Sequence, residues 1–289
     1  AATVLWSGDW VAEELSRNPF SPKWVKNVGG LLQFFLASKN REEVAGMLGW
    51  HAVVDGITVP EEPREAVRKG NFHKVPVLMT FSKNETYGCI PSGASVSVNM
   101  GLKFTLKKED QDRAKSAYNQ TLIAQGIKGT TEESLSNQML TDKLWTCDAR
   151  SLADDLTAGG GRAHVGMFWH SPLYDPVGMM TSPAHCTKGA TCHAAEMLYV
   201  LPQAVPFGIN GKGMEAELAF SQRYSESFLA FVHGKDNAHP WKVWDKETEP
   251  VTFYDKTGSW VVPHYRKPQC DVLDRSVGDH LPAFMRAKV

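Results

Sequence analysis

Cys186-Thr-Lys-Gly-Ala-Thr-Cys192-His193-Ala-Ala-Glu196 is the stretch whose residue types could do chemistry. Two cysteines bracket a short loop, a histidine follows at once, and a carboxylate stands three places further on. An imidazole is the side chain whose ordinary pKa lets it take and return a proton near neutrality. The apolar run Met197-Leu-Tyr-Val-Leu201 makes His193 and Glu196 the opening of a buried or amphipathic segment. A clip before the imidazole and a helical turn after it would hold it at a fixed angle, as proton shuttling requires. His185, Cys186, Cys192 and His193 also form a compact four-ligand set of a kind that can hold zinc. Adjacent His and Cys side chains would have to converge for that, and a disulfide would use the same cysteines, so no metal is expected.

A second candidate lies over a hundred positions earlier. Val75-Pro-Val-Leu-Met-Thr-Phe81 is a continuous apolar run, as expected of a parallel strand covered on both faces. It leads directly into Ser82-Lys-Asn-Glu85, and a carboxylate just past the carboxyl end of a buried strand sits where open α/β sheets build their sites. The bland alternative for Glu85 is a solvated turn acid. For His193 it is a satisfied core histidine. The order strand, Glu85, strand, His193 matches the back half of a Ser…Glu…His arrangement, in which the acid orients the imidazole and stabilises its protonated form. The nucleophile is missing: the chain contains no Gly-x-Ser-x-Gly, no Ser-x-x-Lys and no glycine-rich oxyanion loop.

The elements that must position these groups follow from pattern. Residues 2–6 read as a short buried strand and 31–48 as helical. At 51–60 a strand turns over Asp55-Gly56 and ends at Pro60. Residues 61–69 form a short charged helix stopped by Gly70, and 107–126 and 130–155 a helix-rich peripheral layer. Residues 163–170 alternate as a strand. Gly159-Gly-Gly161 before it is a turn and not a phosphate cradle, because no Lys-Ser/Thr follows and no helix opens there. A long helix over 215–232 carries Leu218, Tyr224, Phe228, Phe231 and Val232 near one face as core. A hairpin spans 251–262 around Thr257-Gly258, and a last helix covers 270–287.

Composition bounds the rest. With 289 residues, 42% of them hydrophobic, the chain can bury a sizeable core. A net charge of −1 supplies no field for nucleic acid. No run approaches the length of a membrane span, and the start lacks the basic and apolar regions of a signal peptide. Nine Trp and sixteen Pro suit a loop-rich globular protein. Of the five cysteines, Cys186 and Cys192 are close enough to bridge a tight loop, while Cys147 and Cys270 could join distant segments. Asn84-Glu-Thr86 and Asn119-Gln-Thr121 are sequons, weak evidence of secretion. Trp145, Phe168, Trp169 and Tyr174 are aromatics for a gorge or, more simply, for core packing.

Taken in order, six motifs resemble the C-terminal half of the type-B carboxylesterase and cholinesterase-like proteins, a group that includes non-catalytic adhesion proteins. They are Val53-Val-Asp55-Gly56, Gly70-Asn-Phe-His-Lys-Val75-Pro76, Lys83-Asn-Glu85, Cys192-His193-Ala-Ala-Glu196, the 228–237 helix end, and Cys270. The resemblance implies an α/β fold: the C-terminal half of an α/β-hydrolase, a mostly parallel sheet flanked by helices. Residues 1–289 would be part of one domain, completed by a missing N-terminal half. It implies Glu85 as triad acid, His193 as triad base and Glu196 as a buried carboxylate beside them. It also implies Cys147–Cys270 and Cys186–Cys192 disulfides, Cys89 left over, and Ala1–Gly8 as the strand after the nucleophile helix. The activity implied is serine-type hydrolysis of a small carboxylic ester, with no cofactor. Serine and oxyanion hole would lie on a complementary N-terminal fragment of the same precursor or on a separate subunit, so that this chain alone would be inactive. The alternative is a non-catalytic interaction or structural subunit. A secreted or other oxidising compartment goes with the disulfides. Two departures stand out: Thr80-Phe-Ser-Lys-Asn-Glu85-Thr86 lacks the family's glycines around its acid, and Ala194 replaces the usual glycine after the histidine.

Overall fold

A computed structural model describes residues 54–86, 106, 108–124, 131–173, 189–200 and 214–274. The chain divides into two units, residues 63–276 and a second made of residues 1–62 with 277–289. Of the second unit, 54–62 are described. There Asp55 Oδ1 accepts the amides of Ile57, Thr58 and Val59 at 2.8–2.9 Å, and Gly56 adopts φ +73°. Those three N–H bonds favour the carboxylate and hold the Asp55 pKa down at about 2. The turn expected at Asp55-Gly56 is present. The strand expected around it is not formed over 54–60, because the side chain takes the amides a ladder would use. The expected elements at 2–6 and 31–48 lie outside the described residues.

Four strands build the sheet of the larger unit: β1 (Pro76–Ser82), β2 (Arg162–Phe168), β3 (Val251–Asp255) and β4 (Gly258–Val262), in that order. β1, β2 and β3 run parallel, with Ser82 opposite Phe168 and Phe168 opposite Tyr254. β4 returns antiparallel through the hairpin at Thr257-Gly258. The helices are α1 (Pro63–Arg68), α2 (Lys108–Ala124), α3 (Glu132–Thr141), α4 (Cys147–Ala158), α5 (Ala195–Val200), α6 (Met214–Val232) and α7 (Lys267–Asp274).

Period-two geometry divides β2 between two cores. Ala163, Val165 and Met167 pack with Ala153 and Leu156 of α4, Phe81 and Phe253. Phe168 faces the other way onto Tyr199 of α5, Phe220 and Tyr224 of α6, and Trp241. Gly166 lies on this second face, where a Cβ would come within 2.7 Å of the Trp241 ring and 3.0 Å of Thr80 Cγ2. With both faces covered, an unbroken apolar strand is the stable pattern, and burying one such side chain contributes about 1.5–3 kcal/mol. On α6 the aromatics are core as expected, but Leu218 and Val232 are exposed. Glu217, Phe220, Ser221 and Tyr224 mark the buried stripe instead, at the i, i+3, i+4, i+7 spacing of a helix face.

A third core joins α2, α3 and α7 through Tyr118, Met139, Leu140 and Leu273 around a Cys147–Cys270 disulfide. This bridge closes a separation of 123 residues with its Cα atoms 5.2 Å apart. Loop entropy gives a closure of that length about 5 kcal/mol. Thr131 caps α3 by accepting the Ser134 amide at 3.1 Å. Between α3 and α4 the helix runs on through a π turn at Asp142–Thr146, which turns Trp145 toward the sheet's carboxyl end. The last helix begins at Lys267, three residues before the expected start, and residues 275–289 lie outside the description.

Candidate active site

The sheet continues past its strand ends, and that continuation builds the site. The amide of Lys83 donates to the Phe168 carbonyl at 3.1 Å, and the amide of Asn84 to that of Thr191 at 3.0 Å. Asn84 Oδ1 accepts the Thr191 amide at 3.1 Å, and Asn84 and Cys192 form a parallel bridge. The segment entering His193 is thereby laid as an extra short rung against the turn that leaves β1. The expected reach from Glu85 to His193 is made by backbone pairing, not by side chains alone.

Glu85 is 2% exposed. Its Oε1 accepts the Ser82 amide at 2.5 Å, closing the turn on itself, and its Oε2 lies 2.5 Å from His193 Nδ1. A carboxylate accepts at that distance, so Nδ1 carries the proton and Nε2 is the nitrogen left to act as base. The imidazole is 33% exposed, and Trp145 from the π turn lies against it with ring centroids 5.7 Å apart. Ser82 Oγ donates to Glu196 Oε2 at 2.7 Å. Burial first and the nearby Glu85 charge second push the Glu196 carboxyl above its ordinary pKa. The result is two carboxylates around one imidazole.

Ala194, directly after the histidine, adopts φ +63°, the left-handed region that favours glycine. The chain must turn sharply there for α5 to start at Ala195, whose amide donates to the Cys192 carbonyl at 3.1 Å.

Of the residues singled out from sequence, Glu85, His193 and Glu196 come together. Cys192 is disulfide-bonded, its partner lying outside the described residues, so it offers no thiolate to a metal. Among the described residues no group of three or more His, Cys, Asp or Glu could hold a metal ion. Cys186, His185, Cys89 and Tyr174 lie outside the description. Phe168 is fully buried core, not a gorge wall. Trp169 is half-buried, packing on Phe253 with the Lys83 ammonium over its ring at 4.1 Å. The sequence reading missed Ser82, whose hydroxyl ties the strand leading to Glu85 to the helix after His193. Its position three before Glu85 was the available signal.

Also missed is a buried polar knot behind the site. His170 Nε2 lies 3.0 Å from both oxygens of Glu217, and Tyr199 Oη donates to the same carboxylate. Burial pushes the Glu217 carboxyl up, but the bonds from His170 and Tyr199 outweigh it and bring the pKa below its ordinary value. The knot fastens α5, which follows His193, to α6 and to the exit of β2.

Known proteins share this architecture. Two PNB esterase structures superpose with a TM-score of 0.54, at 17% and 16% identity, over 76% of this chain and 42% of theirs. A Dictyostelium discoideum relative named Crystal protein is 24% identical over 249 residues, 78% of this chain and 41% of that protein. The chain thus spans under half the length of these relatives. No helix among the described residues is long and apolar enough to cross a membrane. The carboxylesterase-family profile matches residues 31–273, so the chain belongs to the carboxylesterase family.

Proposed function

We propose that this chain supplies the acid and base of a serine-type carboxylic ester hydrolase. The observation that carries the reading is the 2.5 Å contact between Glu85 Oε2 and His193 Nδ1, made by a buried acid and a partly open imidazole. In this mechanism a serine oxygen attacks the ester carbonyl while His193 Nε2 takes the hydroxyl proton, and Glu85 stabilises the imidazolium. His193 then returns the proton to the departing alcohol, leaving an acyl-enzyme. Water attacks that ester with His193 again as base, and the acid and the serine are released.

The serine and the oxyanion donors belong to the N-terminal half of the fold, on a complementary fragment of the same precursor or on a separate subunit. A parallel sheet divided between chains exposes unpaired edge groups, which favours tight association of the halves. The Cys147–Cys270 bridge supports folding in an oxidising, extracytoplasmic compartment. The sequon at Asn84 is a poor glycan acceptor, since its side chain is engaged by Thr191 and Thr86 is buried.

The test is a fluorophosphonate label on the protein together with its N-terminal half. A serine labelled in wild type and unlabelled in His193→Ala is expected; absence of any labelled serine would remove the hydrolase reading. A second reading, a non-catalytic structural or interaction subunit, is favoured by Ala194, which stands in a left-handed conformation directly after His193. That reading predicts no label and normal assembly.

A further inference from the structure

Two hydroxyls that the hydrolase mechanism leaves unused grip the turn of Glu85 from either side. Before it, Ser82 is fully buried and holds two carboxylates at once: its amide donates to Glu85 Oε1 at 2.5 Å, and its Oγ donates to Glu196 Oε2 at 2.7 Å. After it, Thr86, 2% exposed, donates its amide to Thr141 Oγ1 at 3.2 Å and its hydroxyl to the Asn137 carbonyl at 3.0 Å. That hydroxyl hydrogen is spent on a carbonyl, which only accepts, so Thr141 is the donor across the 3.1 Å contact between the two threonine oxygens. We infer that Ser82 and Thr86 are positioning residues that set the angle at which Glu85 meets His193, an inference that rests on the hydrolase reading.

The contacts close on themselves. Ser82 holds Glu85 through its amide and α5 through Glu196, and α5 begins at Ala195, just after His193. Glu85, Ser82, Glu196 and His193 thus form a ring whose last edge is the bond between Glu85 Oε2 and His193 Nδ1. Thr86 is tied to Asn137 and Thr141 at the end of α3, and the π turn that follows carries Trp145 against the imidazole. Glu85, Thr86, Thr141, Trp145 and His193 form a second ring that shares the same edge. The parallel rung at Asn84 and Cys192 brings the two backbones together, but a carboxylate on a rung is still able to rotate. Misplacing a reacting group by about 1 Å costs about a hundredfold in rate, so the angle is what a catalyst must hold. Burial stiffens the hold, because breaking either hydroxyl bond leaves a buried polar partner unsatisfied.

The test uses the protein with its N-terminal half, 4-nitrophenyl acetate as the ester, and proton NMR of the far-downfield Nδ1–H of His193, assigned by its loss in His193→Ala. Ser82→Ala and Thr86→Val each remove one hydroxyl. In both, kcat is expected to fall about ten- to a hundredfold while KM changes less than about twofold. The Nδ1 resonance is expected to move upfield. The rising limb of kcat/KM is expected to shift to lower pH, because a misaligned carboxylate favours the imidazolium less. Thr86→Ser keeps the hydroxyl and is expected to restore all three readouts. A hydroxyl-less variant with wild-type resonance, pH limb and kcat overturns the role of that hydroxyl, and so does a fall in kcat with the resonance and limb unmoved. If one variant fails to fold, the other decides. Failure of both overturns the inference, since the hydroxyls would then hold the fold and not the angle. A wild type without a labelled serine removes the hydrolase reading, yet the resonance still reports how Glu85 meets His193, so the two fail separately.

Discussion

Asp142 meets Arg266, and Glu249 meets both Arg150 and Lys267, whereas Glu85 and Glu196 face a single imidazole. Both neighbourhoods are buried and both sit where helices meet the sheet. In the first, cations match the carboxylates, and Tyr118, Gln138 and Thr146 complete the shell of Asp142. Arg266 remains charged well above its ordinary range despite its burial, because Asp142 lies beside it. In the second, negative charge is in excess. A matched cluster costs little to keep and does one thing, which is to hold. An unmatched one is poorer for stability and leaves a proton-accepting ring under strong electrostatic bias.

The largest expected effect breaks the comparison at its unmatched end. Glu85→Gln keeps the shape of the turn but presents an amide to His193 Nδ1 in place of a charge, which destroys the preference for the productive tautomer. A fall of about 10⁴-fold in kcat for ester hydrolysis is expected, with the melting temperature little changed. A loss under tenfold would mean that Glu85 is only a turn residue. At the matched end the order reverses. Arg150→Met leaves Glu249, 5% exposed, with the half-exposed Lys267 ammonium and the His264 ring at 3.5 Å, and removes the bond to the Tyr265 carbonyl. A loss of about 3–5 kcal/mol is expected in chemical denaturation, with kcat retained by the folded fraction. A loss below about 1 kcal/mol would show that the cluster holds nothing.

The unmatched charge also has a pH signature. The Glu196 pKa is raised in the folded state above 4.5, so above that pH the folded protein holds a proton that the unfolded chain has released. Stability contributed by this group is therefore full below the unfolded value and declines as pH rises through the folded one. Glu196→Gln keeps an acceptor for Ser82 Oγ and removes the titration. The variant's stability is expected to stay flat across that window where wild type declines, by at most about 1.4 kcal/mol per pH unit. Denaturation midpoints from pH 4.5 upward check it; parallel curves would place Glu196 outside the bias on His193.

How far the sequence revealed this follows from the range of each signal. β1, β2, the 251–262 hairpin and α6 were legible because periodicity and glycine punctuation are local. The pairing of Glu85 with His193 was legible only through family order, since no local pattern relates residues 108 positions apart. Ser82 was not legible as a site neighbour, and Trp145 stood only among four aromatics open to a gorge or a core reading. One depends on the parallel rung at Asn84 and Cys192, the other on a π turn that helix periodicity does not announce. The strand expected near Asp55 failed because a side chain competed for its amides. The Asp142 and Glu249 clusters escaped because their partners come from α2, the π turn, α4 and the 249–267 segment, far apart in the chain.

Backbone strain supplies the smallest and sharpest comparison. The matched region holds Glu249, His264 and Arg266 at φ between +44° and +59°, each with a polar side chain in the cluster. The site holds Ala194 at φ +63°, whose methyl can make no such compensating bond. A left-handed non-glycine residue costs about 1–2 kcal/mol, while a glycine loses about 0.5–1 kcal/mol more backbone entropy on folding. The difference makes Ala194→Gly neutral to stabilising, by at most about 1.5 kcal/mol. The same replacement at His264, where Nδ1 lies 3.5 Å from Glu249, relieves the strain but removes a polar partner of that carboxylate, so little or no gain is expected there. If Ala194→Gly destabilises instead, the left-handed turn is held by more than its backbone, and the angle of His193 is set by the methyl's own packing.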